Sequence, residues 1–222
     1  MRKRLGSVTS RILDLASSSS STDESNGSSS ASDSFDEKEV EQLISDYFQI
    51  DNYDIEELHE HFAKVDPDLF GKIVKYYCGW RLLKMEPLET LFSFICSSNN
   101  NVSRITKMVQ VLCEEYGECL GEFTIDDGVT TFPMYKFPTL EQLEECTEKE
   151  LKYVLNFRKH NFGYRAKYIV QTVEKLKEKP EKYLYTLRDK EKYPTSLDVL
   201  NELKQFSGMS TFLELPEIAI HQ

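Results

Sequence analysis

The sequence predicts an all-α protein behind a disordered N-terminal tail, on three observations. From residue 36 onward apolar side chains recur at helical spacing, in segment after segment. No stretch reads as a pair of strands. The residues unable to build a core collect at one end, where Ser17 to Ser34 reads SSSSSTDESNGSSSASDS, a tract that buries too little apolar surface to offset its ordering entropy. The chain as a whole is 40% hydrophobic and 12% aromatic, which suits a globular core. Residues 1–35 are therefore read as tail and 36–208 as the helical core.

Asp36 can cap a first helix through KEVEQLISDYF, with Val40, Leu43, Ile44 and Phe48 on one side. A second helix follows Asp54 and presents Ile55, Leu58, Phe62 and Val65. Pro67 suits the first turn of a third, DLFGKIVKYY, with Leu69, Phe70, Ile73 and Val74 as its apolar side. Pro87 opens the next, where LETLFSFI is apolar almost all round and so belongs at the centre of the core. That helix ends in Ser97-Ser98-Asn99-Asn100-Asn101, five side chains that compete with the backbone for hydrogen bonds and favour turns and caps. A further helix begins near Val102 and shows Ile105, Met108, Val109 and Leu112.

Between Gly117 and Phe137 no periodicity stands out, so that stretch reads as a loop with aromatics and prolines. Thr139 begins the capping pattern TLEQ, with a short helix to about Cys146. Another short helix spans Glu150 to Phe157, and RKHNFGY is a basic, aromatic loop. Ala166 to Glu178 is amphipathic through Ile169, Val170, Val173 and Leu176. The last helix covers roughly Ser196 to Phe206.

Formal net charge is −11. The tail carries Arg2, Lys3, Arg4 and Arg11 against Asp14, Asp23, Glu24 and Asp33, so the excess lies in the helical part. A nucleic-acid partner then requires a local basic surface, since phosphate contacts supply most non-specific affinity. The five cysteines, Cys78, Cys96, Cys113, Cys119 and Cys146, form no CxxC pair or metal-ligand spacing. They fit a reducing compartment, most of them as small core residues. No apolar run reaches membrane-spanning length. The start, MRKRLGSVTSRILDLASSSS, is compatible with a transit peptide, a nuclear-import fragment or an untargeted tail.

Taken alone, SSNNN is a loop with capping residues. RKHNFGYRAKY combines basic residues with aromatics, which suits nucleic acid, because arginine contacts phosphates or base edges and an aromatic stacks on or wedges between bases. A solvated helix start has the same look.

Together the two segments say more. WRLLKMEPLETLFSFICSSNNNVSRIT and FGYRAKYI closely resemble the helical core of eukaryotic 8-oxoguanine DNA glycosylases, within the helix-hairpin-helix DNA glycosylase superfamily. The similarity runs from about Phe35 to Gly208. By resemblance, Asn99 matches the residue that fills the gap left by the flipped-out damaged base. Arg104 matches an arginine that reads the orphaned cytosine, and Arg165 its partner in that task. Tyr164 matches the aromatic wedge inserted beside the cytosine. Extruding a base costs a few kcal/mol of stacking and pairing, about what such contacts offset.

The family's reaction, again by resemblance, uses a lysine amine that attacks the sugar carbon, expels the base and forms a Schiff base, after which β-elimination nicks the strand. That lysine lies in a hairpin of the form L-P-G-V-G-x-K, and an aspartate farther along assists. Here the corresponding stretch reads Leu203-Lys204-Gln205-Phe206-Ser207-Gly208-Met209-Ser210, followed by TFLELPEIAIHQ. The second glycine, the lysine and the aspartate are absent, Lys204 precedes the turn, and His221 lies near the chain end. The family's N-terminal β-domain is expected to be missing as well, since only the Ser-rich tail precedes Asp36.

The expectation is an incomplete helical core of this glycosylase fold, with residues 209–222 as an unrelated tail produced by splicing or an incorrect gene boundary. No catalytic residue, metal or cofactor is assigned. The expected partner is double-stranded DNA containing 8-oxoguanine opposite cytosine, bound by a monomer in the nucleus or mitochondrion through Asn99, Arg104, Tyr164 and Arg165. The alternatives are a non-catalytic DNA-binding module and an interaction or non-functional splice product.

Overall fold

The computed structural model describes residues 37–77, 79–124, 130–154 and 162–209. The tail, the Asp36 cap, Cys78, the basic run Arg158 to His160 and the C-terminal stretch from Ser210 lie outside them. The chain divides into two compact units between Met85 and Glu86.

In the first unit, α1 (Glu37–Phe48) and α2 (Ile55–Val65) form where their apolar spacing predicts them. Asp54 caps α2 by accepting from the backbone N–H groups of Glu56 and Glu57. The third predicted helix is only a fragment, α3 (Phe70–Ile73), continued as a 3₁₀ turn over Val74–Tyr76. The apolar faces are less covered than expected: Phe62 and Leu69 are exposed, as are Trp80 and Leu82 in the segment that follows. Among the described residues here the buried side chain is His59, whose ring meets Phe70 at 5.8 Å.

The second unit holds the hydrophobic core. Glu86 caps α4 (Pro87–Ser97), and Pro87 occupies its first turn, where a missing N–H costs nothing. As its all-round apolar sequence predicts, α4 buries Leu91, Phe92, Ile95 and Cys96. It packs against α5 (Val102–Tyr116), α7 (Arg165–Lys177) and α8 (Tyr183–Thr186). Met108, Val111 and Leu112 of α5 and Ala166, Ile169, Val173 and Leu176 of α7 complete the centre. Thr139 and Gln142 form the predicted capping box of α6 (Leu140–Leu143), and Thr195 and Asp198 make a second one on α9 (Ser196–Leu203). A π-helical turn covers Glu150–Val154, and the rest of that predicted helix lies outside the described residues.

The all-α class holds, and the reading of Gly117 to Phe137 as a loop needs one correction. An antiparallel hairpin of β1 (Cys119–Thr124) and β2 (Thr131–Tyr135) follows α5. Its alternation was hidden by an irregular register between Cys119 and Gly121, which breaks the period of two. Pro133 also argues against a strand, but in a two-stranded ribbon both strands are edges and tolerate a residue without an N–H donor. The fold is helical with this single small ribbon among the described residues.

Candidate nucleic-acid interface

The end of α4 and the start of α7 build one structure. The five polar residues after Cys96 divide the labour. Ser98 closes α4 and is buried. Asn99 adopts the left-handed conformation at φ 44°, which asparagine tolerates better than most residues, and its side chain is exposed. Asn100 turns inward, donating from Nδ2 to the Cys96 carbonyl at 2.9 Å and lying 3.2 Å from Met108 Sδ. Asn101 caps α5, its Oδ1 accepting from the Arg104 N–H at 3.0 Å. The turn is thus held by Asn100 and Asn101, leaving Asn99 at its tip.

From 66 residues along the chain, Tyr164 and Arg165 close on the same turn. Tyr164 Oη donates to the Ser98 carbonyl at 3.0 Å. Arg165 Nε donates to that carbonyl at 3.0 Å, and its terminal nitrogen donates both to Ser98 O and, at 3.0 Å, to Asn99 O. The guanidinium also lies over the Tyr164 ring, 4.7 Å from its centre. Ser98 is the last residue of a helix end, so its carbonyl lacks an intrahelical donor, and the arginine supplies one.

Of the four expected site residues the structure brings three into direct proximity: Asn99, Tyr164 and Arg165. Asn99 and Tyr164 face solvent, with Tyr164 45% exposed. Arg165 does not, being 3% exposed. Its Nε and one terminal nitrogen donate to backbone carbonyls in this conformation, so it is the latch of the turn. Arg104 is exposed in the first turn of α5, with Lys107 exposed one turn on. Neither α5 nor α7 has an acidic residue in its first turn, so no carboxylate there opposes an approaching anion.

Sequence reasoning missed two participants. The Ser98 carbonyl is a backbone group and has no side-chain signature. Tyr168, one turn beyond Tyr164, meets its ring edge-on at 5.5 Å. Among the described residues no group of three or more histidine, cysteine or carboxylate side chains is placed to hold a metal, and no helix is long and apolar enough to cross a membrane.

Residues 92–211 match the profile of the HhH-GPD superfamily base excision DNA repair proteins, and residues 4–91 match that of the 8-oxoguanine DNA glycosylase N-terminal domain. The matched stretch therefore starts well before Phe35, inside the segment read as tail, and it belongs to the N-terminal domain that was expected from the sequence to be missing. The chain is 40% identical over 154 residues to the N-glycosylase/DNA lyase OGG1 of Arabidopsis thaliana, covering 68% of this chain and 38% of that protein. It is 46% identical over 116 residues to the N-glycosylase/DNA lyase of Saccharomyces cerevisiae, covering 52% and 25%. The 8-oxoguanine glycosylase/lyase of Clostridium acetobutylicum, solved with double-stranded DNA containing cytosine opposite 8-oxoguanine, superposes with a TM-score of 0.59 at 32% identity. That match covers 78% of this chain and 52% of the bacterial one. The chain thus spans well under half the length of these curated relatives and about half that of the solved one.

Proposed function

The chain belongs to the HhH-GPD superfamily of base excision DNA repair proteins and, within it, to the 8-oxoguanine glycosylase family, and from that premise we propose that these 222 residues bind duplex DNA at 8-oxoguanine paired with cytosine. The observation that carries the proposal is the shared latch on Ser98. One carbonyl, gripped by Tyr164 and Arg165, fixes an exposed asparagine beside a half-exposed aromatic ring. An amide able to hydrogen-bond and a flat ring able to wedge are what base extrusion needs, held so that ordering them costs little on binding.

In this reading Asn99 enters the gap left by the extruded base and Tyr164 wedges beside the cytosine. Arg104 reaches the cytosine edge from the first turn of α5. Arg165 holds Tyr164 and Asn99 in register and is the residue that would have to release its carbonyls to take up a base contact itself. The protein binds as a monomer and works where the DNA is, in the nucleus or mitochondrion.

For the excision step this chain departs from the family's pattern. The family's nucleophile is a lysine beyond the second glycine of a hairpin, and this sequence reads Ser207-Gly208-Met209-Ser210 there, with no lysine from Gly208 to Gln222. These residues accordingly bind the lesion without opening the Schiff-base route.

Borohydride trapping on 8-oxoguanine:cytosine duplex, run beside salt-dependent binding of the same duplex, tests both halves. Binding that weakens steeply with salt, without a covalent adduct, is the expected result. An adduct would show that an amine such as Lys204 supplies the nucleophile and would overturn the non-catalytic half. Absence of duplex binding at low salt would overturn the whole reading in favour of a protein-interaction role.

A further inference from the structure

One face of α7 links the DNA-facing tyrosine to the turn that follows α9. Tyr168, Gln171 and Lys175 are spaced three and four residues apart, so their side chains lie along one side of the helix. Each meets a successive part of that turn. Lys175 Nζ donates to the Gln205 carbonyl at 2.9 Å, and Ser207 Oγ donates to Gln171 Oε1 at 2.9 Å. Tyr168 lies flush against Gly208: a Cβ placed there would come within 2.8 Å of Tyr168 Cδ2. Gly208 also sits at φ +86°, a conformation that a side chain disfavours. The turn is anchored on both sides of this contact by Phe206 and Met209, which are buried. One helical turn in the other direction, the edge of Tyr168 packs on Tyr164 at 5.5 Å and an interplanar angle of 68°.

We propose that Tyr168 is a positioning residue, transmitting the position of the Gly208 turn to the ring of Tyr164. The inference rests on the reading of Tyr164 as the wedge against duplex DNA. The Tyr164 ring has three supports: its hydroxyl on the Ser98 carbonyl, the Arg165 guanidinium over one face, and Tyr168. The first two tie it to the end of α4. Only the third among them ties it to the turn after α9. The absence of a side chain at residue 208 lets Tyr168 occupy the space between the two, so Gly208 and Tyr168 form one fitted pair. A ring is required and its hydroxyl is not, because the contacts named on both sides are made by ring atoms.

The test compares Tyr168→Phe with Tyr168→Leu in the full 222-residue chain, using two readouts. The first is the chemical shift of the Tyr164 ring protons in the free protein, measured by NMR. The second is affinity for 8-oxoguanine:cytosine duplex relative to undamaged duplex. Tyr168→Phe should leave both unchanged. Tyr168→Leu should move the Tyr164 resonances and lower the lesion preference about three- to tenfold, the scale of an edge-to-face aromatic contact. Gly208→Ala, which pushes on Tyr168 directly, should shift the same resonances. Tyr164 resonances unmoved by both Tyr168→Leu and Gly208→Ala would overturn the proposal, as would shifts of equal size in Tyr168→Phe. If the parent chain binds no duplex, the wedge reading fails on its own, while the resonances still decide whether Tyr168 sets the Tyr164 ring.

Discussion

Arg165 donates from Nε to the carbonyl of Ser98 at 3.0 Å, joining residues 67 apart in the sequence. The guanidinium is almost wholly buried and spends two nitrogens on the Ser98 and Asn99 carbonyls. Burying a cation is costly unless its donors are matched. Here the matching acceptors come from a helix end that itself lacks donors. Each side of the contact therefore relieves the other, and the turn that carries Asn99 depends on it.

Arg165→Ala should accordingly lower stability by about 3 kcal/mol, the scale of two or three charge-assisted hydrogen bonds lost from a buried site. Arg165→Lys should recover only part of this, because an ammonium lacks the planar fork that reaches two neighbouring carbonyls. Urea unfolding of the three proteins measures it. A loss for Arg165→Ala within about 0.5 kcal/mol, ordinary for a surface position, would mean that the latch contributes little.

Gly117 terminates α5 and sits against the base of the ribbon, beside Lys136. A Cβ there would lie 2.1 Å from the Lys136 carbonyl oxygen and 2.6 Å from that of Cys113. Both obstacles are backbone, so neither can rotate away. Gly117→Ala should therefore destabilise the protein by about 2 kcal/mol or more, with a drop in thermal midpoint readable by circular dichroism. An unchanged midpoint would mean that the ribbon moves freely relative to α5.

How much of this was legible depended on where each signal resides. The capping box at Thr139, the cap at Asp54 and Pro87 in a first turn are local chemistry, and the first turns follow it. The central burial of α4 was readable because five of the eight residues from Leu88 to Ile95 are apolar and lie around the helix rather than on one side. The ribbon was not, since one register irregularity and Pro133 erase the alternation that marks strands. Asn99 and Tyr164 were found through resemblance, and the structure places both at a solvent-facing surface. Arg165 shows what resemblance leaves out. A side chain named for a base contact is occupied in this conformation by carbonyls, and a carbonyl partner has no letter in the sequence. The fit of Tyr168 against Gly208 went unnoticed for a related reason: it is a matter of shape between residues 40 apart.

Arg104 lies exposed at the start of α5, where the Asn101 cap fixes the first turn. If it reads the cytosine edge, Arg104→Ala should cost about 1–3 kcal/mol of duplex affinity with cytosine opposite the lesion and much less with adenine opposite. Competition binding with the two duplexes measures the difference. An equal loss on both would reassign Arg104 to phosphate contact, where Lys107 already offers charge.

Alkaline pH should loosen the second unit. Burial pushes the Cys96 thiol up to about 12, with Arg165 opposing that shift. Cys113 is raised to about 12, chiefly by burial and then by Glu89 and Glu114, and Cys146 to about 11, chiefly by burial. All three start from an ordinary value of 9.0. Because the folded state holds each proton more tightly than the unfolded chain, unfolding releases protons once the pH exceeds 9. The stability tied to these thiols is therefore intact below pH 9 and falls progressively as pH rises toward 11 and 12. Urea midpoints measured between pH 8 and pH 11 should decline across this range. Replacing Cys96 and Cys113 together by alanine should flatten the decline, even though the cavities lower stability at pH 8. A decline of the same steepness in the double variant would assign the alkaline loss to the remaining Cys146 and to Tyr116 and Tyr183, whose phenols are also raised, chiefly by burial.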